Sequence, residues 1–231
     1  MEDKPFAEDR DSAFPRTQWT VIREALSSDS ERARNALETL CANYHRPILN
    51  WFRRTAPEEE AKDLAQSFVV YLLQKDLLAK VAKESGRFRC YLAACMRKFR
   101  SDQQEKESAL KRGGGAERVP LFDDVVDAQS QSPGDSTYDL DVALTIHERV
   151  MSALAPSQEL TAYIFWKESS EPWDRIASRL GITPAAARQQ ASRLRRKHWE
   201  EFSKEVSQIS TPLEHADETR YLYQLLFKHL T

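Results

Sequence analysis

The sequence predicts an all-α protein made of two helical domains joined by an acidic flexible linker. Three observations carry this. Apolar residues recur at helical spacing over most of the chain. Only 6 glycines and 10 prolines occur in 231 residues, too few for the tight turns of a β-sandwich. One stretch, Lys111–Asp139, loses the helical period, carries Gly113-Gly114-Gly115 and Ser130-Gln131-Ser132-Pro133-Gly134, and is rich in acids. A loop that long inside one compact domain is unusual, so it marks a boundary. The expected partition is a helical domain over 14–110, a linker over 111–139, a second helical domain over 140–204 and a C-terminal helical extension over 205–231.

Each element follows from local chemistry. A short helix is predicted over Thr17–Leu26. Ser30 then caps a longer helix from Glu31 through Leu37, Leu40, Tyr44 and Ile48 to about Arg54, with Pro47 as a kink point. Pro57 and Glu58-Glu59-Glu60 open the next helix, because proline suits the first turn and acids suit the positive end of the dipole. Its buried stripe is Leu64, Phe68, Tyr71 and Leu72. Asp76–Gly86 reads as a connecting loop. A helix from about Arg87 to Leu110 buries Phe88, Tyr91, Leu92, Cys95 and Phe99. Past the linker, helices are expected over Leu140–Leu154 and Ser157–Lys167. Thr211-Pro212-Leu213-Glu214 has capping-box spacing and opens a terminal helix with Tyr221, Leu222, Leu225, Leu226 and Leu230 on its apolar side.

Pro172 to Trp199, PWDRIASRLGITPAAARQQASRLRRKHW, is the most specific local signal. Trp173, Ile176, Ala177 and Leu180 share one helical face. Gly181 supplies a left-handed stop, Thr183 an N-cap, and Pro184 a first helical residue; the second helix is expected to reach about Lys204. Two helices joined by so short a turn have helix-turn-helix geometry. Ala187, Ala191 and Leu194 pack inward, and their small size lets the helices cross closely. Thr183, Ala185, Arg188, Gln189, Ser192 and Arg195/Arg196 then face outward. Arginine binds guanine edges with two hydrogen bonds and glutamine reads adenine, so this face suits a DNA major groove. Arg193, Arg196 and Lys197 suit phosphates.

Charge distribution agrees. The net charge is −2, but Arg87–Arg112 carries +5, Glu117–Asp141 carries −6 and Pro172–Trp199 carries +6. Two basic segments separated by an acidic one suit a protein that touches a polyanion twice. Other classes lack support. The five histidines show no HExxH spacing, no phosphate-binding loop is present, and the glycine run lies in the linker, so no enzyme, cofactor or metal site is expected. Cys41, Cys90 and Cys95 form no CxxC pair and read as buried small hydrophobes in a reducing cytoplasm. The charged segment Met1–Arg16 is not a signal peptide, and no run approaches the ~18 apolar residues of a membrane span, so a cytoplasmic location is expected.

Together these segments resemble a bacterial extracytoplasmic-function sigma factor of the planctomycete branch. The resemblance runs from Thr17-Gln18-Trp19 to the terminal helix. DLAQSFVVYLL (Asp63–Leu73) and SGRFRCYLAACMRKFRSDQQEKESALKRGGG (Ser85–Gly115) are similar to sigma region two; WDRIASRLGITPAAARQQASRLRRKHW is similar to region four. The resemblance implies transcription initiation with core RNA polymerase and promoter DNA as partners. Glu59, Asp63, Gln66, Ser67 and Gln74, with Val70, form a stripe off the buried face and would dock on the clamp helices of the largest polymerase subunit. Arg87, Arg89, Arg97, Lys98, Ser101 and Asp102 would hold the downstream promoter element, with a flipped base in a pocket and single strand along a basic groove. The helix from Thr183 would read the upstream element, and the acidic linker would thread the polymerase channel. The sequence departs from the family at Ser67, where an acid is usual, at Lys98, where asparagine is common, and in the terminal helix. An anti-sigma factor or a Ser/Thr kinase acting at Ser67 are the regulators the resemblance implies. The competing expectation is a helix-turn-helix regulator that binds DNA and never polymerase.

Overall fold

The computed structural model describes residues 30–74, 87–111, 136–154, 156–157, 159–163, 172–210 and 212–230, and every element among them is helical. In chain order these are α1 (Ser30–Arg53), α2 (Glu58–Gln74), α3 (Phe88–Lys111), α4 (Ser136–Ala153), α5 (Trp173–Leu180), α6 (Pro184–Ile209) and α7 (His215–Leu230), with a further helical stretch at 159–163. The helix expected at Thr17–Leu26, the loop Asp76–Gly86 and residues 112–135 of the linker lie outside the described residues. No helix among the described residues is long and apolar enough to cross a membrane.

α1 and α2 form an antiparallel hairpin. Pro57 precedes the first turn of α2, and its carbonyl accepts from the Ala61 N–H at 2.8 Å, so the proline costs no hydrogen bond. The Arg53 guanidinium closes the turn on both carboxylate oxygens of Glu58 at 2.7 and 2.8 Å. Phe52 of α1 is fully buried and meets Phe68 of α2 and Phe99 of α3 edge-on, at 5.9 and 6.0 Å between ring centres. Aromatic pairs in this geometry add to the burial of their large apolar area. The predicted stripes of α2 and α3 are therefore the core, except that Tyr71 is only half-buried. α1 runs unbroken through Pro47.

α4 begins earlier than its sequence suggests. Ser136–Asp139, expected in the linker, form its first turn, with Tyr138 and Asp139 buried. From there α4 packs on α1, α6 and α7 at once. Asn50 and Arg54 of α1 both bind Asp141, at 3.0 and 2.6 Å, and Arg149 donates to Asn43 at 2.5 Å. Arg46 pairs with Glu148.

The principal core therefore takes residues from both halves of the sequence. Phe52, Phe68 and Phe99 share it with Val142, Ile146, Phe202, Val206, Leu222 and Leu226. A smaller core contains Ala162, Tyr163, Ile176, Ala177, Ala187, Ala191 and Leu194. The division between cores falls inside α6, not at 111–139. α6 runs five residues past Lys204 because Phe202, Val206 and Ile209 continue its buried face into the principal core. α7 starts at His215 after a turn at 212–214, later than the capping-box spacing implied. It packs back on α4 and α6 through Glu218, Thr219, Leu222 and Leu226. Of the stripe expected there, Tyr221, Leu225 and Leu230 are only half-buried. Cys95 is buried, with its thiol pushed up to about 12 by desolvation, whereas Cys41 is exposed, contrary to expectation.

One charged cluster sits inside the principal core. The Arg89 guanidinium of α3 donates to Asp139 of α4 and to both oxygens of Glu218 of α7, the longer of these bonds being 3.2 Å. All three side chains are at most 3% exposed. Arg87 reaches Glu218 at 3.1 Å, and the Tyr221 hydroxyl donates to Asp139 at 2.8 Å beneath the Arg89 guanidinium. Burial, and then that hydrogen bond, push the Tyr221 phenol up to about 12. Two cations face two carboxylates, so the buried charge is balanced.

Removing one member leaves the others charged in a dry site, so Arg89→Ala should cost about 3–5 kcal/mol in urea unfolding. Replacing Arg89, Asp139 and Glu218 together with apolar residues of similar volume should cost less than that single change. Desolvation holds the Asp139 carboxyl above its ordinary value, against the pull of Arg89. A carboxyl raised by folding contributes stability that is complete below its unfolded pKa, about 3.9, and is lost as pH rises through the folded value. The cost of Asp139→Asn relative to wild type should therefore shrink as pH rises above about 4.

Candidate nucleic-acid interface

The turn between α5 and α6 has the chemistry its residues imply. Gly181 ends α5 in the left-handed region at φ 66°, ψ 32°. The Ile182 N–H returns to the Ala177 carbonyl at 3.1 Å and the Gly181 N–H to Ser178 at 3.4 Å, satisfying carbonyls the helix leaves open. Two residues on, the Thr183 hydroxyl accepts from the Ala186 N–H at 3.2 Å, and Pro184 occupies the first turn. Ile176 and Ala177 then meet Ala187, Ala191 and Leu194 in the small core, where alanine at two facing positions permits the close crossing.

This packing sets the outward face of α6. Ala185, Arg188, Gln189, Ser192, Arg195 and Arg196 are exposed and fall at spacings of three and four along one side of the helix, with Thr183 exposed at its N-cap. Arg188, Arg195 and Arg196 make no ion pair among the described residues. Arg193 and Lys197 lie on a neighbouring side, where Glu159 holds them at 3.9 and 3.0 Å. Glu159 was not among the sequence candidates; it belongs to the helical stretch at 159–163, which the Ser157 side chain caps at 3.1 Å. Nothing in the spacing of the chain places it beside α6.

The residues expected at the downstream element do not form one surface. Arg89 departs from that expectation: it is buried in the ion cluster and cannot reach a nucleic acid without leaving Asp139 with no cation and Glu218 with Arg87 alone. Arg87 is engaged with Glu218. Lys98 pairs with Asp102 at 3.1 Å, one turn apart, and the Asp102 side chain, expected to be exposed, is only 11% so. Arg97 is half-buried and Ser101 exposed. Helical periodicity places Arg89 next to Phe88 and Cys90 without showing that α4 and α7 cover it.

On α2, Glu59, Asp63, Gln66, Ser67 and Val70 are exposed in one stripe, opposite Ala61, Leu64, Ala65 and Phe68. Glu59 accepts from Lys62 at 2.9 Å. Gln74 ends α2, and its side chain lies outside the described residues. No cluster of metal-binding side chains occurs among the described residues. Comparison of the chain with protein-family models, curated proteins and solved structures finds no match.

A Cβ added at Gly181 would meet nothing within 4 Å, so only backbone strain opposes substitution there. Gly181→Ala should cost about 1–2 kcal/mol and Gly181→Asn less, because asparagine tolerates the left-handed region. Thermal unfolding of the two variants checks the ranking.

Proposed function

We propose that this protein is a transcription initiation factor of the sigma type, which binds core RNA polymerase and directs it to promoters. The observation that carries the proposal is the outward stripe of α6. A two-helix unit presents a short-side-chain residue (Ala185), two base-reading side chains (Arg188, Gln189) and unpaired arginines in sequence along one face. That order suits a helix entering a major groove by its N-terminal turns, with Arg195 and Arg196 meeting phosphates as it leaves. The exposed stripe Glu59, Asp63, Gln66 and Ser67 supports a second, polymerase-facing surface. It is acidic and polar, lies on a helix whose other side is core, and belongs to a different part of the molecule from the DNA-reading stripe.

In this reading the protein does no covalent chemistry and needs no cofactor. It works in the cytoplasm as a bridge, with base contacts on α6 selecting the upstream element. Arg97, Lys98 and Ser101 are left as the basic side for the downstream element, since Arg89 has a structural task. Anti-sigma or kinase control at Ser67 belongs to the same proposal.

Arg188→Ala should weaken binding to a selected duplex by about 1–3 kcal/mol and relax specificity at one position, with little effect on random DNA. Arg196→Ala should weaken all sequences alike and reduce the slope of log affinity against log salt by about 1. Lys197→Ala should do less, because Glu159 already competes for that ammonium, and Glu159→Gln should tighten random binding. Wild type should also capture core polymerase, and Asp63→Lys should weaken that capture. Duplex binding without capture of core polymerase would make the protein a helix-turn-helix regulator instead.

A further inference from the structure

α7 runs antiparallel to the C-terminal part of α6, and the two helices leave a groove of about 450 Å³ between them. Its floor is aromatic. Trp199 meets Tyr223 edge-on at 4.7 Å, and Tyr223 lies 4.6 Å from Phe227. Trp199 is 38% exposed, an unusual position for an indole. The rim on the α6 side is Ser192, Arg195 and Arg196, and on the α7 side Gln224. Arg195 lies close enough to Tyr223 to oppose the rise that burial imposes on that phenol. Neither arginine is in an ion pair among the described residues, although Glu159 takes the two cations on the adjacent side of α6.

We propose that this groove docks an acidic amphipathic helix of a partner protein, with Leu or Phe along one face and Asp or Glu on its flanks. Two helices packed side by side leave a trough that a third fills, ridge into groove. Apolar side chains would cover Trp199 and Phe227, and flanking carboxylates would pair with Arg195 and Arg196. A basic or uncharged helix would bury those guanidinium groups without partners. A nucleic-acid duplex would satisfy the arginines but keep its bases stacked inside and set charged phosphates over the aromatic floor. The groove also begins at Ser192, inside the DNA-reading stripe, so occupant and duplex exclude one another. Docking itself is independent of polymerase binding, and only the exclusion rests on the DNA reading of α6.

The test uses the full chain and a fluorescein-labelled helical peptide of roughly 14 residues, about four turns. The peptide carries Leu or Phe at i, i+3, i+4 and i+7 and Glu on both flanks, and its binding is followed by anisotropy. Phe227→Ala and the double change Arg195→Glu/Arg196→Glu should each weaken binding at least about tenfold. Gln224→Glu should weaken it by roughly threefold, and Lys106→Glu on α3 should leave it unchanged. The same peptide with Lys for Glu should not bind. Should Phe227→Ala lose helical circular dichroism, the exposed Gln224 and arginine variants decide instead. Equal binding of the Lys peptide, or tight binding of the Glu peptide by the charge-reversed variant, overturns the proposal. Equal loss of random-duplex and peptide affinity in Phe227→Ala overturns it too, and makes the groove a nucleic-acid seat. A duplex that binds without displacing the peptide removes the exclusion. Failure of wild type to bind any duplex would fell the DNA reading while leaving peptide docking to stand on its own result.

Discussion

A guanidinium at Arg89 can leave water only if carboxylates meet it in the core, and both that do so come from helices distant in sequence. Asp139 lies 50 residues on, in the first turn of α4, and Glu218 a further stretch away, in α7. Neither carboxylate is tolerable in that site without the cation, and the cation is not tolerable without them. Docking any two of these helices without the third therefore leaves a buried charge unpaired. Tyr221 closes the remaining side of Asp139, and Arg87 answers the second oxygen of Glu218. The apolar contacts of α4 and α7 would by themselves allow some sliding. The ion cluster does not, because its hydrogen bonds have fixed directions.

That requirement explains why the principal core crosses the expected domain boundary. With α4 tied to α3 and to α1 through Asp141, the apolar residues Val142, Ile146 and Val150 draw cover from later segments of the chain as well. The C-terminal half of α6 and all of α7 supply that cover. α6 then acts as a beam shared between two cores. Its first turns belong to the helix-turn-helix and its last turns to the main body. At the crossover His198, fully buried, is hydrogen-bonded to His147 of α4 at 2.8 Å and to the Tyr223 hydroxyl of α7 at 3.2 Å. The α6 stripe proposed to read DNA is thus held on the same body as the α2 stripe proposed to face polymerase.

Among the candidate site residues, position along a helix tells only part of what matters. Thr183, Ala185, Arg188, Gln189, Ser192 and Arg196 are recognisable because a small-residue face opposite them identifies which side is outward. The α2 stripe is legible for the same reason. Arg89 departs from its expected role because its own helix contains no sign of what covers it. Arg193 and Lys197 are exposed, as their helical positions imply, but their partner Glu159 comes from a segment that no spacing connects to α6. The aromatic groove is invisible in the sequence as well, since Trp199 and Phe227 line one trough only when α7 folds back.

The sequence by itself determined most of the described helices, the cap at Thr183, the stop at Gly181 and the buried faces of α2, α3 and the helix-turn-helix. Those depend on contacts three or four residues apart and on the conformational limits of single residues, all of which are local. Only the tertiary structure decided that Ser136–Asp139 belong to a helix, that α6 runs to Ile209, and that the main core joins both halves of the chain. Those depend on burial by distant partners: an acid-rich segment reads as solvated until an arginine from another helix makes its first turn part of the core.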